Sequence, residues 1–203
     1  MEKSWKHLKL GFGCFFVVYV AQWNEWNSEV KSQFSLKNPI KIVYYERDNY
    51  RMMFNKLLDY LDEHNQKNIL VLGRYNNDVK EVTRDNYLDG KIIYKDLDIN
   101  YLTVHRSKGL ECDDIIILNM SNKLMGFPSQ REDDEVFDLI DVDRENYPYA
   151  EERRLFYVAL TRTKKNVYLM VPRSNPSIFI DEIKGKTVDL IIKWYIIKVY
   201  LFY

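Results

Sequence analysis

Between Tyr101 and Met120 the chain reads YLTVHRSKGLECDDIIILNM, a polar segment held between two apolar runs. Ser107, Lys108 and Gly109 have the composition of a tight turn that offers backbone N–H groups to an anion, and Glu111 can accept hydrogen bonds from sugar hydroxyls. The same residues also read as an ordinary charged loop. Cys112 reads as a small packing residue. Two arginines are further candidates. Arg74 directly follows the run ILVLG, where Gly73 lets the backbone bend or a ligand come close, and a guanidinium there can hold a phosphate bidentately. Pairing with a surface carboxylate is the plainer alternative. Arg162 follows Leu155 by two helical turns in EERRLFYVALTRTKK, a placement that suits a charge-stabilising arginine aimed at a phosphoryl group, or simply a basic cap on a helix end. No G-x-x-x-x-G-K-[ST] occurs in the sequence, so hydrolysis of a nucleoside triphosphate by this chain alone is not expected.

The elements that must position these residues can be read from periodicity. IKIVYYE predicts a strand, and YRMMFNKLLDYLDEH, with Met53, Leu57, Leu58 and Leu61 at helical spacing, predicts an amphipathic helix. NILVLG predicts a buried strand, with a helix starting near Asn77 or Asp78, both good N-cap types. A turn at Asp89-Gly90 precedes the short strand KIIYK, and the opening stretch supplies two more strands, NYLTV and DDIIILNM. A loop rich in acids and turn formers, Ser121 to Pro148, then leads to a helix predicted over AEERRLFYVALTRTKKN. Its acidic first turn and basic last turn match the helix dipole, and Leu155, Val158 and Ala159 form its apolar face. VYLMVP is the final strand. Strands alternating with helices, apolar along their whole length, predict an α/β fold with a mostly parallel sheet covered on both faces. In such sheets ligands gather outside the carboxyl ends of the strands.

Composition narrows the setting. With 46% hydrophobic residues and 30 basic side chains balancing 30 acidic ones, the chain can fill a core, and any anion site must be local. Cys14 and Cys112 alone support neither a disulfide framework nor a zinc site, and His7, His64 and His105 are scattered, so no metal and a reducing cytoplasmic location are expected. Lysines before an apolar run in MEKSWKHLKLGFGCFFVVYVA allow a secretory-signal reading, but a buried or poorly ordered extension fits the rest better. VDLIIKWYIIKVYLFY, interrupted by Lys193 and Lys198, reads as a packing segment before a membrane anchor. The expected organisation is an extension over 1–30, a folded domain over 31–183 and an apolar tail over 184–203.

In sequence order, ILVLGRYNND, YLTVHRSKGLECDDIIIL and AEERRLFYVALTRTKKNVYL resemble motifs IV, V and VI of superfamily 1 DNA helicases of the UvrD/Rep type, and NKLMGFPSQREDD resembles the helicase IV branch. The resemblance implies a second RecA-like domain, half of an ATP-driven motor moving 3′ to 5′ on single-stranded DNA. ATP with Mg2+ would be shared with a first RecA-like domain that carries the phosphate loop. By match to the motifs, Arg74 and Arg162 would touch the γ-phosphate, Arg162 as the arginine finger, and the two would converge on one rim of the sheet. Gly109 and Glu111 would lie against the nucleotide, Glu111 on the ribose, while Thr103 and His105 would face the DNA backbone. The sequence departs from the family pattern in having Gly73 where an aromatic residue often precedes the motif IV arginine, and Cys112 after Gly-Leu-Glu. About 25 residues separate motifs IV and V, too few for a large accessory domain. A non-catalytic nucleic-acid or protein-binding module on the same fold is the alternative function.

Overall fold

A computed structural model describes residues 40–131, 148–183 and 188–190. The extension over 1–30, most of the apolar tail and the acid-rich part of the loop after Ser121 lie outside the described residues. An eight-stranded sheet has the order β3-β4-β5-β2-β6-β7-β1-β8. Its strands are β1 (Ile40–Tyr45), β2 (Asn68–Gly73), β3 (Tyr87–Leu88), β4 (Lys91–Ile92), β5 (Asp98–Thr103), β6 (Cys112–Ile117), β7 (Thr163–Pro172) and β8 (Val188–Leu190). From β5 to β8 across the sheet every neighbouring pair is parallel, while β3 and β4 form an antiparallel hairpin on the β5 edge. The architecture is therefore the expected α/β sheet, mostly parallel and flanked by helices.

Alternation along the strands explains why both faces are covered. Leu70 and Leu72 of β2, Ile115 and Ile117 of β6 and Leu169 and Val171 of β7 share one core with Leu155, Phe156 and Ala159 of α3 (Ala150–Leu160) and with Phe179 and Ile180 of α4 (Ile178–Ile183). Ile69, Val71, Ile116 and Tyr168 point to the other side. There they meet Phe54, Leu57, Leu58 and Leu61 of α1 (Tyr50–Glu63) and Val79 and Val82 of α2 (Asp78–Thr83). The predicted turn at Asp89-Gly90 is a tight hairpin loop: both residues have positive φ, 49° and 83°, the backbone that a two-residue turn of the primed type requires and Asp-Gly provides.

Two expectations need correction. The helix predicted through Asn166 stops at Leu160, so it has no basic last turn and Arg162 lies in the turn before β7. The Thr161 hydroxyl donates to Tyr157 O and Val158 O, and the Thr163 hydroxyl donates to Asp113 O and Asn166 O. These side-chain bonds offer the backbone an exit from the helix. The sheet also extends past residue 183, because β8 adds to β1 in parallel. No helix among the described residues is long and apolar enough to cross a membrane.

Candidate functional site

In a parallel sheet, the residue after one strand and the residue before another stand at opposite ends. Ile69 is level with Asp114 and Leu72 with Ile117, while Cys112 is level with Thr163. Arg74 thus lies beyond the carboxyl ends of the strands and Arg162 beyond their amino ends, roughly 25 Å apart along the strand direction at about 3.3 Å per residue. The expected convergence of the two arginines on one rim does not occur.

At the amino ends the structure brings together Gly109, Glu111 and Arg162. Ser107 to Leu110 is a turn closed by Leu110 N–H donating to Ser107 O at 3.0 Å, with Lys108 at φ −58°, ψ 123° and Gly109 at φ 87°. This is type II geometry, which demands a glycine at its third position, so the predicted tight turn is present. Arg162 Nε donates to Val158 O at 3.0 Å, Nη2 to Thr161 Oγ1 at 3.2 Å, and Nη1 to Leu110 O at 3.4 Å. The backbone closes the same contact, since Cys112 N–H donates to Arg162 O at 2.9 Å. Among the described residues these neutral acceptors are the partners of the guanidinium, and its charge is not cancelled by a carboxylate. Glu111 is exposed and, among the described residues, pairs with Lys164 at 3.7 Å. An exposed pair of that length is worth at most about 1 kcal/mol, so both charges stay available to a ligand.

Beside Glu111 a groove of about 530 Å³ opens along the sheet, lined by Asn68, Asn100, Thr103, Arg106 and Leu110 among others. Its lining mixes polar groups with the apolar side chains of Leu70, Leu102 and Leu110. Cys112, at its margin, donates from Sγ to Asn68 O and Oδ1 at 3.2 and 3.1 Å, and burial pushes its thiol pKa up, so it is a packing residue as expected and a poor nucleophile.

Thr103 ends β5 level with Gly73, at the other end of the sheet, and His105 sits exposed in the short 3-10 turn Val104–Ser107 that starts the return path. The eight residues from Val104 to Glu111 therefore run the length of the sheet, from Thr103 at the carboxyl ends to Glu111 at the amino ends.

Arg74 is differently placed. Its Nε and Nη2 both lie 2.8 Å from Glu152 Oε1, and its Cζ sits 5.1 Å from the Tyr75 ring centroid. Glu152 is 7% exposed, and its second oxygen accepts from Ser129 N–H at 2.9 Å. Ser129 Oγ in turn lies 2.6 Å from Tyr75 Oη. Gly73 is not there for ligand access: a Cβ would run into the Tyr101 hydroxyl and the Asp78 carboxylate. Tyr101 Oη donates to Tyr75 O at 2.5 Å, and Asp78 accepts from Tyr75 N–H and Asn119 Nδ2. Burial raises the Asp78 pKa, partly offset by those donors. Sequence reasoning gave Glu152 and Asp78 helix-end roles alone and did not single out Ser129; the acid two residues into a helix that also carries a candidate arginine was the available signal for the pairing.

Residues 79–174 match the UvrD-like helicase C-terminal domain, an interval that includes Thr103, His105, Gly109, Glu111 and Arg162 and leaves out Arg74. DNA helicase IV of Escherichia coli (strain K12) is 36% identical over 94 residues, 46% of this chain and 14% of that protein. A "Probable DNA helicase II homolog" of Mycoplasma pneumoniae is 41% identical over 76 residues, 37% of this chain and 9% of that protein. The matched part thus spans between 9% and 14% of the length of these relatives. The crystallised C-terminal domain of a "possible DNA helicase" from Lactobacillus plantarum WCFS1 superposes with a TM-score of 0.52 at 15% identity, covering 75% of this chain and 84% of that one, a likeness of fold. The family match and the helicase-named relatives together mark residues 79–174 as a C-terminal domain of the UvrD/Rep helicase type.

Proposed function

We propose that this chain is the C-terminal motor half of an ATP-dependent 3′–5′ DNA helicase, completed by a P-loop-bearing first RecA-like domain and acting in a reducing cytoplasm. What carries the reading is Arg162: a guanidinium held by neutral acceptors, beside Glu111 and a glycine turn, on one open rim. A charge aimed and left uncancelled suits a triphosphate that a neighbouring domain presents. The first domain would supply the phosphate loop and the Mg2+ ligands. Here Arg162 stabilises charge on the γ-phosphate as the arginine finger, Gly109 allows the backbone to approach the nucleotide, and Glu111 accepts from ribose hydroxyls. Thr103 and His105 face the DNA backbone, and the loop from Val104 to Glu111 joins the two ends. Arg74, neutralised by Glu152, holds α3 instead of touching the triphosphate.

Mixing the chain with a P-loop-bearing first helicase domain should create hydrolysis of ATP stimulated by single-stranded DNA, which neither component shows alone. Arg162→Ala should lower the turnover by about a thousandfold or more. Equal turnover in the variant would overturn the assignment. The internal pairing of Arg74 also favours a second reading, a non-catalytic module that keeps the fold. Salt-dependent binding to single-stranded DNA, unchanged by Arg162→Ala and accompanied by no hydrolysis in the mixture, would establish it.

A further inference from the structure

Helix α3 carries groups from both ends of the sheet. Its first turn holds Glu152, and Arg162 follows two residues after its last turn, about 15 Å away at 1.5 Å per residue. Arg162 is bonded back to that last turn through Nε on Val158 O, and its own N–H donates to Ala159 O at 3.3 Å. The side chain therefore moves with the end of the helix.

Glu152 is where the helix meets the carboxyl ends of the strands. Arg74, directly after β2, donates to one of its oxygens, and Ser129, in the loop after β6, donates to the other. Ser129 also receives the N–H of Arg131 on its Oγ, which contacts the Tyr75 hydroxyl. One carboxylate thus binds two segments that are separate in sequence to the helix that positions Arg162. A buried ion pair is seldom the most stabilising filling for such a place, because desolvation offsets most of its attraction. What it does provide is a fixed register between the groups it joins. Between its ends, α3 packs Leu155, Phe156 and Ala159 into the core that also contains Val104, the residue before His105.

We propose that Glu152 is a positioning residue that couples the strand end of the sheet to the nucleotide end: a shift of Arg74 or Ser129 on binding single-stranded DNA is carried along α3 as a rigid rod to Arg162. The proposal rests on the helicase reading for the identity of the two ligands. It assigns to Glu152 no contact with either of them.

The test uses the full chain and an oligothymidylate, with amide hydrogen exchange as the readout. The amides of Thr161, Arg162 and Cys112 report on the far end, because Cys112 N–H is bonded to Arg162 O. Adding the oligonucleotide to the wild type should change exchange at these amides at least about threefold, with no change at Leu169 to Val171 in the middle of β7. In Glu152→Gln the oligonucleotide should still bind, and the distant change should vanish. If that variant does not fold, Arg74→Lys, which keeps the charge and loses the fork of N–H groups, should diminish the distant change by more than half. Distant changes of equal size in the variant and the wild type would overturn the proposal, as would binding to the wild type with no change beyond the strand end. Absence of oligonucleotide binding in the wild type would instead remove the helicase reading on which the proposal stands.

Discussion

The two ends of the sheet treat the same side chain in opposite ways. At the carboxyl ends Arg74 is shut in by a buried carboxylate, and its surroundings are closed by Asp78, Asn119, Tyr101 and Ser129. At the amino ends the partners of Arg162 among the described residues are carbonyl and hydroxyl oxygens, next to a glycine turn and an exposed glutamate. Internal ion pairing makes the first arginine part of the scaffold. Lack of it leaves the second with charge to offer. Proteins of this layered type commonly bind ligands beyond the carboxyl ends of the strands. Here that end is the more internally satisfied one, and the open charge lies opposite.

The comparison predicts a steep difference in stability. Glu152→Ala should cost about 3–5 kcal/mol in denaturant unfolding, since it strands the Arg74 guanidinium and leaves the Ser129 N–H without its acceptor. A loss below about 1 kcal/mol would mean that Arg74 finds water freely and that the closed end is not closed. At the open end, Gly109→Ala should cost only about 1 kcal/mol. The penalty there comes from its φ of 87°, because an added Cβ meets nothing within 4 Å. Its effect should fall instead on hydrolysis in the reconstituted pair, so that stability and activity respond at different ends of the molecule.

Much of this was legible in the sequence. The apolar runs in NILVLG and DDIIILNM announced buried strands of a mostly parallel sheet, and Ser-Lys-Gly announced its turn, whereas which residue faces which helix layer came from the structure. The end of α3 was not legible, because TRTKK continues helical spacing, and only the contacts of Thr161 and Thr163 with partners as distant as Asp113 stop it. Nor was the role of Arg74, whose partner Glu152 is 78 residues away. The opposite placement of the two arginines could have been read. One follows a strand and the other precedes one, and in a parallel sheet those positions cannot share a rim.

A finer test concerns a charge buried near the open end but beneath α1. Asp114 is fully buried; its Oδ1 accepts from Asn166 Nδ2 at 2.8 Å, and its Oδ2 has no partner among the described residues. Burial raises its pKa above the ordinary carboxylate value, against the lowering influence of Asn166 and of Lys165. The folded state therefore binds this proton more tightly than the unfolded chain does. Its ionisation then costs stability as pH rises from about 4 through the raised value, and the cost is fully present above it. In Asp114→Asn this contribution is absent. Relative to the wild type, the variant should lose ground at acidic pH and gain it toward neutrality, with a net change near pH 7 of about 1 kcal/mol or less. Melting temperatures of the two proteins measured across that interval should therefore have a difference that varies with pH. A constant difference would show that water reaches Asp114, and that the amino ends are open beneath α1 as well as at the rim holding Arg162.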